Sequence, residues 1–412
     1  KEVSGDISPF KFYTIDKPGY VVGGFDKRLA YKAFPLCYDC RDLIQRGRQH
    51  VEENLTFAFA PRTRYLLIPD FIFGPQGVHQ EVLDILTEER GQRAQRLHTL
   101  KREEARRITE DKEDILDILS QERDVMTMHF LFMPPKQGAS SQERIDLYIQ
   151  DVYPSQLRNL FEAKGAVERF LRHRRDDGSW AEYTFTYGTL YRFFSKADPN
   201  KRDPDLLRHF YELVDRTFRG VPVPEDHLIP FLMRQIRNDV VDPDRRDQQR
   251  AYRYTTQDAL AVLLFVQIST QKEVRMTYGQ SAALDAFLES LPALESDLKK
   301  GLFLLGALTE RLLRVQYNER GNAPFWKALK SLKMTEADLQ GLLPKVRNKL
   351  QEYDKFGLGE AALFKKASEY LAQTPTPWKM SVDELNFYFA LGMGLFPKVA
   401  QFVYSQPEEV EE

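Results

Sequence analysis

Cysteine, net charge and long apolar runs are all scarce in this chain of 412 residues. The two cysteines, Cys37 and Cys40, imply no disulfide framework, and a reducing cytoplasm is the expected compartment. Uninterrupted apolar runs such as residues 259–266 are far shorter than the roughly 20 residues that a membrane helix needs. No signal peptide is visible. We therefore expect no membrane partner.

The formal net charge is only −2, with 59 lysines and arginines against 61 aspartates and glutamates. This balance excludes a chain that is basic over its whole surface, so a nucleic-acid site must be a local patch. Since the chain has 412 residues, 42% of them hydrophobic, it can bury more than one core. Two domains are the natural expectation.

Recognisable catalytic motifs are also absent. The sequence has no Gly-x-x-x-x-Gly-Lys phosphate loop, no His-Glu-x-x-His and no Gly-x-Ser-x-Gly elbow. The seven histidines are scattered, and the nearest approach to a cluster is Glu225, Asp226 and His227. These three residues follow Pro224, a position typical of the start of a helix. We expect a protein without enzymatic activity.

Cys37 and Cys40 form a Cys-x-x-Cys pair. This spacing supplies two of the four ligands of a structural zinc site from one tight turn, and two ordinary buried thiols are the alternative. His50 and His79 could supply further ligands, although their spacing fits no compact zinc pattern. Structural zinc is therefore a hypothesis that the sequence leaves open.

The N-terminal part mixes strand and helix patterns. Strands are predicted at residues 55–60, 65–73 and 126–133, and a hairpin at residues 10–22. Residues 81–123 carry mixed charges and predict a solvated helical hairpin, with an RNA-facing helix as the alternative. Helices broken by prolines follow. We expect an α+β fold for this part, mostly helical, with short strands and a half site like that of a zinc ribbon.

The C-terminal part predicts an all-α helical bundle. Residues 302–315 form an apolar helix, and Thr335 with Asp338 is spaced like an N-terminal cap. Pro344 is predicted to start a further helix. Ser381 and Glu384 form a capping box before residues 385–393, which are apolar nearly all round. The polar stretch 269–281 predicts a boundary between domains 1–275 and 276–412.

Three groups of basic residues are candidate phosphate contacts, because arginine and lysine can bind phosphates and neighbouring tyrosines can stack on bases. Aspartates lie among the first two groups, so local salt bridges are the alternative. Those two groups are Arg169, Arg172, Arg174 and Arg175, and then Arg245, Arg246, Arg250 and Arg253. The terminal group, less diluted by acids, is Lys299, Lys300, Arg311, Arg314, Lys327, Lys330 and Lys333.

Several short blocks occur in the order found in one known family. They are residues 303–306 (Phe-Leu-Leu-Gly), 312–313 (Leu-Leu), 316–317 (Gln-Tyr), 319–321 (Glu-Arg-Gly), 349–353 (Lys-Leu-Gln-Glu-Tyr), 387–389 (Phe-Tyr-Phe) and 391–393 (Leu-Gly-Met). Upstream, residues 10–17, 65–69 and 151–157 match as well, although Gln156 stands where the family often has arginine. The chain resembles the large subunit of type I-B CRISPR Cascade, the Cas eight family of subtype b.

This resemblance implies a non-catalytic subunit of a prokaryotic cytoplasmic complex. Such a subunit joins a guide RNA–protein complex containing backbone, guide-end and small subunits. It recognises the protospacer-adjacent motif in double-stranded target DNA, helps to open the duplex and stabilise the displaced strand in the R-loop, and helps to recruit the helicase-nuclease. The resemblance also implies that domain 276–412 is like the Cascade small subunit, and the sequence permits an internal start at Met276.

The resemblance further implies a second cysteine pair upstream of residues 10–17, which would fall before Lys1. Cys37 and Cys40 would then be the retained half of a four-cysteine site. The chain begins with lysine rather than methionine, and we expect an N-terminal piece to precede it. Two other functions stay open: a helical adaptor or scaffold without direct DNA contact, and a zinc-dependent nuclease.

Overall fold

A computed structural model describes most of the chain and divides it into two compact units. The first comprises Lys1–Glu162 with Thr186–Arg219, and the second comprises Ala163–Phe185 with Gly220–Glu412. The predicted boundary at residues 275–276 falls inside the second unit, outside the described residues, and stays a prediction. The described residues are 3–4, 30–33, 35–72, 79–80, 82–83, 86, 115–120, 124–134, 144–174, 180–196, 203–241, 251–271 and 284–404.

The described strands form one four-stranded antiparallel sheet, in the order β3-β4-β5-β6, and two short two-stranded pairs. The sheet contains the three predicted strands, which confirms them, and adds β6. The predicted hairpin at residues 10–22 lies outside the described residues. The strands are β1 (Val3–Ser4), β2 (Leu36–Cys37), β3 (Thr56–Ala60), β4 (Thr63–Phe71), β5 (Met126–Met133), β6 (Leu147–Val152), β7 (His173–Arg174) and β8 (Trp180–Ala181).

Helices fill most of the remaining described residues. Two 3₁₀ segments, Pro292–Leu294 and Pro324–Leu332, lie among them. The helices are α1 (Ala30–Ala33), α2 (Tyr38–Asn54), α3 (Ile115–Ser120), α4 (Pro154–Leu171), α5 (Tyr187–Phe193), α6 (Pro204–Arg219), α7 (Glu225–Val241), α8 (Ala251–Thr270), α9 (Leu284–Glu289), α10 (Asp297–Arg320), α11 (Glu336–Glu352), α12 (Leu358–Gln373), α13 (Val382–Gly394) and α14 (Phe396–Tyr404).

An aromatic cluster between the sheet and helices α5 and α6 forms the core of the first unit. The buried Phe59 ring stacks on Tyr187 at 4.5 Å between centroids and meets Phe132 edge-on at 4.8 Å. Alternate residues of β4 point inward, as the period of a half-buried strand requires. Of the charged stretch 81–123, the structure describes helix α3 and a few positions before it, so the predicted helical hairpin lies mostly outside the described residues.

Helix α10 is the central helix of the second unit. Its residues 301–310 are all buried, and it packs mainly against α13 and α12. The Ser296 side chain caps its first turn by accepting a hydrogen bond from the amide of Lys299, and Gly321 ends it in the left-handed conformation, with φ of 67°. The prediction that the C-terminal part is mostly helical is confirmed.

Two details of the bundle test the sequence predictions. Both predicted caps are present, at Thr335 and at Ser381. The prediction that Pro344 starts a new helix is wrong, because α11 runs continuously through it. Five buried residues at helical spacing hold α11 against its neighbours on both sides of the proline, which offsets the one missing backbone donor. Within the described residues, no helix is both long and apolar enough to cross a membrane.

Candidate nucleic-acid interface

The three exposed lysines of the terminal group lie on one turn between α10 and α11. We call residues 324–333 the lysine turn. Phe325, Leu329 and Leu332 are buried and anchor it in the core of the second unit. Lys327, Lys330 and Lys333 alternate with these anchors and are exposed. The apolar side of the turn therefore fixes three cations on its outer side.

The backbone of the lysine turn adopts an unfavourable conformation. Lys330, Ser331 and Leu332 all have positive φ, at 48°, 53° and 58°. A left-handed conformation costs a residue other than glycine roughly 1–2 kcal/mol, because its Cβ approaches the following carbonyl. Three such residues in succession persist only where the surrounding structure imposes them.

Polar side chains from three helices hold the turn in this conformation. The buried Gln316 of α10 accepts a hydrogen bond from the Phe325 amide at 3.0 Å. Arg237 of α7 donates from Nε to the Leu332 carbonyl at 2.9 Å. The buried Asn386 of α13 forms two hydrogen bonds with the backbone of Met334, just after the turn. Asn386 Oδ1 accepts from the Met334 amide at 3.0 Å, and Asn386 Nδ2 donates to the Met334 carbonyl at 2.8 Å.

The three lysines differ in their partners. Lys330 Nζ lies 2.6 Å from Asp338 Oδ1, in an exposed ion pair. Lys327 and Lys333 have no acidic partner among the residues that the structure describes. The half-buried Trp326 precedes Lys327, and its ring meets Tyr252 edge-on at 5.4 Å. The turn therefore presents lysines beside an aromatic side chain, a combination found where proteins bind single-stranded nucleic acid.

The ion pair with Lys330 lowers the pKa of Asp338 to about 2, with a further contribution from the amide of Thr335. Because the folded-state pKa is depressed, the stabilisation from this carboxylate is present above its ordinary pKa of 3.8 and is lost as the pH falls through about 2. We expect Lys330→Ala to raise the pKa of Asp338 towards its ordinary value. NMR titration of the Asp338 carboxyl measures this, and an unchanged midpoint would show that Lys330 does not hold the carboxylate.

Four other members of the terminal group form pairs within the bundle. Lys299 is buried, with Nζ at 2.7 Å from Glu225 and 2.8 Å from Glu295. Lys300 lies over the ring of Tyr370 at 5.6 Å. Arg311 pairs with Glu360 at 2.7 Å, and Arg314 pairs with Glu310 at 2.9 Å. Salt bridges engage three of these four cations and the fourth lies over an aromatic ring, so a nucleic-acid role for all four stays a prediction.

The structure describes only part of the two upstream arginine groups. Arg253 pairs with the buried Glu310, to which Tyr252 also donates. Arg172 is exposed, and its carbonyl accepts from Lys398 at 3.1 Å. Arg174 belongs to β7, and its side chain lies outside the described ones. Arg175, Arg245, Arg246 and Arg250 lie outside the described residues.

The cysteine pair lies in the first unit, at the start of α2. Cys37 is half-buried just before the helix, and Cys40 is exposed in its first turn. His50 contacts Asn54, and the His79 ring stacks on Phe71. Over the described ranges, no three or more Cys, His, Asp or Glu side chains come together in a group that could hold a metal ion. These residues do not complete a zinc site, and zinc stays a prediction.

Sequence reasoning missed the residues that hold the lysine turn. These residues are Arg237, Gln316 and Asn386, which are widely separated along the chain. Their approach to one turn therefore leaves no pattern in the local sequence. One signal was available, because Asn386 is a polar residue inside a helix whose residues 385–394 are all buried. A buried amide in that setting has to find partners, and its partners are in the backbone after the turn.

Comparison with known protein families covers most of the chain. Residues 185–406 match the C-terminal domain of the family described as CRISPR-associated protein TM1802 (cas_TM1802). Residues 1–152 match the central domain of the same family. No curated protein matches the chain. Since the C-terminal domain alone accounts for more than half of the sequence, the chain belongs to the CRISPR-associated protein TM1802 family.

Proposed function

We propose that this chain is the non-catalytic large subunit of a type I-B Cascade complex. In this role it joins a guide RNA–protein complex with backbone, guide-end and small subunits. It recognises the protospacer-adjacent motif of target DNA, helps to open the duplex and stabilise the R-loop, and helps to recruit the helicase-nuclease. Membership of a CRISPR-associated family supports the setting, and the resemblance of the sequence blocks supports the subunit.

The observation that carries the DNA-binding part is the lysine turn. Its strained backbone is imposed by Gln316, Arg237 and Asn386, and the result is a fixed outward set of three lysines. Strain of this kind is typical of sites where geometry matters for binding. A backbone that is already held in place loses less conformational entropy when its lysines contact phosphates than the backbone of a mobile loop does.

A few phosphate contacts by lysine are enough for the large subunit to favour an open DNA duplex. The exchange of a DNA duplex for an RNA–DNA heteroduplex is nearly balanced, since DNA stacking contributes about 1.4 kcal/mol per step and the heteroduplex returns a similar amount. Base pairing with the guide reads most of the sequence, and the protein has to read only a short flanking motif and hold the displaced strand. A local group of lysines is therefore sufficient on a chain whose net charge is −2.

A second candidate is a helical scaffold that makes no direct DNA contact. The ion pairs of Lys299, Arg311, Arg314 and Arg253 favour it, because these cations are engaged inside the bundle. The two candidates make different predictions for the lysine turn. The large subunit uses the exposed Lys327 and Lys333 to contact DNA, whereas the scaffold has no use for these cations.

The test is the affinity of guide-loaded Cascade for target DNA, assembled without this chain, with the native chain, or with Lys327, Lys330 and Lys333 changed to alanine. We expect the triple variant to weaken binding about tenfold or more at physiological salt, on all target sequences alike. The slope of log affinity against log salt should fall by up to about one unit per lost phosphate contact.

The matched control replaces three other exposed lysines of the second unit, Lys345, Lys365 and Lys379, with alanine. It removes the same charge and should leave the affinity and the salt slope close to native. If the triple variant behaves like this control, the lysine turn is not a DNA contact. If the native chain adds no affinity at all, the scaffold replaces the large subunit as the proposed function.

A further inference from the structure

The turn between α11 and α12 exposes apolar surface at the tip of a helical hairpin. We call residues 353–358 the hairpin tip. Leu358 is 93% exposed, the largest fraction among the exposed large hydrophobic residues described. Phe356, two residues earlier, is half-buried and meets Phe364 edge-on at 6.1 Å. Because almost the whole surface of this apolar side chain is in water, a partner that covers it would bind with a favourable hydrophobic contribution.

Two cations flank this apolar tip. The Arg347 guanidinium lies over the rings of both Phe356 and Phe364, at 5.7 and 5.2 Å. Lys355 is exposed three residues before Leu358. Neither cation has an acidic partner in the part of the chain that the structure describes. Lys349 is paired with Glu352 at 2.5 Å, and Asp354 is the one acid in the tip itself, so Arg347 and Lys355 leave a net positive charge there that attracts negative charge.

Tyr404, the last residue of α14, contacts the first turn of α12, which adjoins the tip. The Tyr404 hydroxyl donates to Glu360 at 2.9 Å, while the Gly357 amide donates to the other oxygen of the same carboxylate at 3.1 Å. Side-chain atoms of Val403 and Tyr404 pack so closely on Gly359 that a Cβ there would lie 2.9 Å from Val403. The last turn of α14 therefore packs against the first turn of α12, which Leu358 begins.

The sequence that follows Tyr404 complements the tip in chemistry. Residues 405–412 read Ser-Gln-Pro-Glu-Glu-Val-Glu-Glu, with four glutamates, no cation and one apolar residue, Val410. Eight residues reach up to about 27 Å when extended. Since the segment is tethered beside its target, its effective concentration is in the millimolar range, and weak contacts are enough.

We propose that the hairpin tip is the binding surface for the acidic segment 405–412 of the same chain. The glutamates pair with Arg347 and Lys355, and Val410 covers Leu358. A nucleic-acid duplex presents its phosphate backbone to the two cations but keeps its bases stacked inside, away from Leu358, so the acidic segment fits the surface better than a duplex does. The contact covers an exposed leucine and keeps the cations of the tip from binding other polyanions.

Hydrogen exchange measured by mass spectrometry tests this on the full chain. In the native chain at low salt, the peptide that contains residues 354–362 should exchange about threefold or more slowly than in a variant with Glu408, Glu409, Glu411 and Glu412 changed to glutamine. Removal of residues 405–412 should have the same effect, and about 0.5 M salt should abolish the difference. The peptide that contains the lysine turn should exchange equally in all forms.

Leu358→Ser separates the apolar contribution, because the side chain is exposed and its loss leaves no cavity. It should raise exchange at the tip in the native chain and have no effect once residues 405–412 are removed. Equal exchange at the tip in the native chain and the glutamine variant would overturn the proposal. Protection of the tip only after addition of a single-stranded oligonucleotide would also overturn it and make nucleic acid the occupant.

Discussion

Gly392→Ala should destabilise the second unit by about 3 kcal/mol or more, the upper end of what overpacking usually costs. Helices α10 and α13 cross in backbone contact at this point. A Cβ on Gly392 would lie 2.6 Å from the carbonyl carbon of Phe303 and still closer to its oxygen. The contact is reciprocal, since a Cβ on Gly306 would lie 2.9 Å from the carbonyl carbon of Phe389. The backbone of a buried helix cannot move away from an added methyl group as a flexible side chain can.

Urea unfolding followed by tryptophan fluorescence measures this, because all three tryptophans, Trp180, Trp326 and Trp378, belong to the second unit. Gly341→Ala is the matched control. Gly341 lies inside α11, and a Cβ added there would have no atom within 4 Å, so alanine should stabilise by roughly 0.5–1 kcal/mol. An unchanged midpoint for Gly392→Ala would contradict the close crossing of α10 and α13.

The local features of this fold were predictable because their causes are local. The cap of α11 needs only Thr335 and Asp338, three residues apart, and the cap of α13 needs only Ser381 and Glu384. The three predicted strands follow from alternating apolar residues between turn residues. Pro344 shows the limit of this reasoning, because packing on both sides of it outweighs the preference of proline for a helix start.

The candidate site was less predictable because its causes are remote along the chain. Lys299 and Lys327 look equivalent in the sequence, and only the fold shows that Glu225, 74 residues away, pairs with Lys299. The left-handed turn has no local signal either. Positive φ is usually marked by glycine, whereas Lys330, Ser331 and Leu332 are forced into it by side chains from other helices.

The second large effect concerns the flanking motif of the target. We expect guide-loaded Cascade that contains this chain to prefer one flanking motif by about ten- to hundredfold, since each well-read base pair contributes about 1–3 kcal/mol of discrimination. The same complex assembled without the chain should bind all flanks alike and weakly. A guide RNA pairs only with the target strand, so a preference for the flank has to come from protein.

A gel-shift titration measures this most directly, with duplex targets that differ only in the flank and complexes assembled with and without the chain. The account predicts tight binding only when the chain and one particular flank are both present. A chain that fails to join the complex, or joins it and leaves flank preference unchanged, would contradict the proposal that this member of the TM1802 family is the DNA-recognising large subunit.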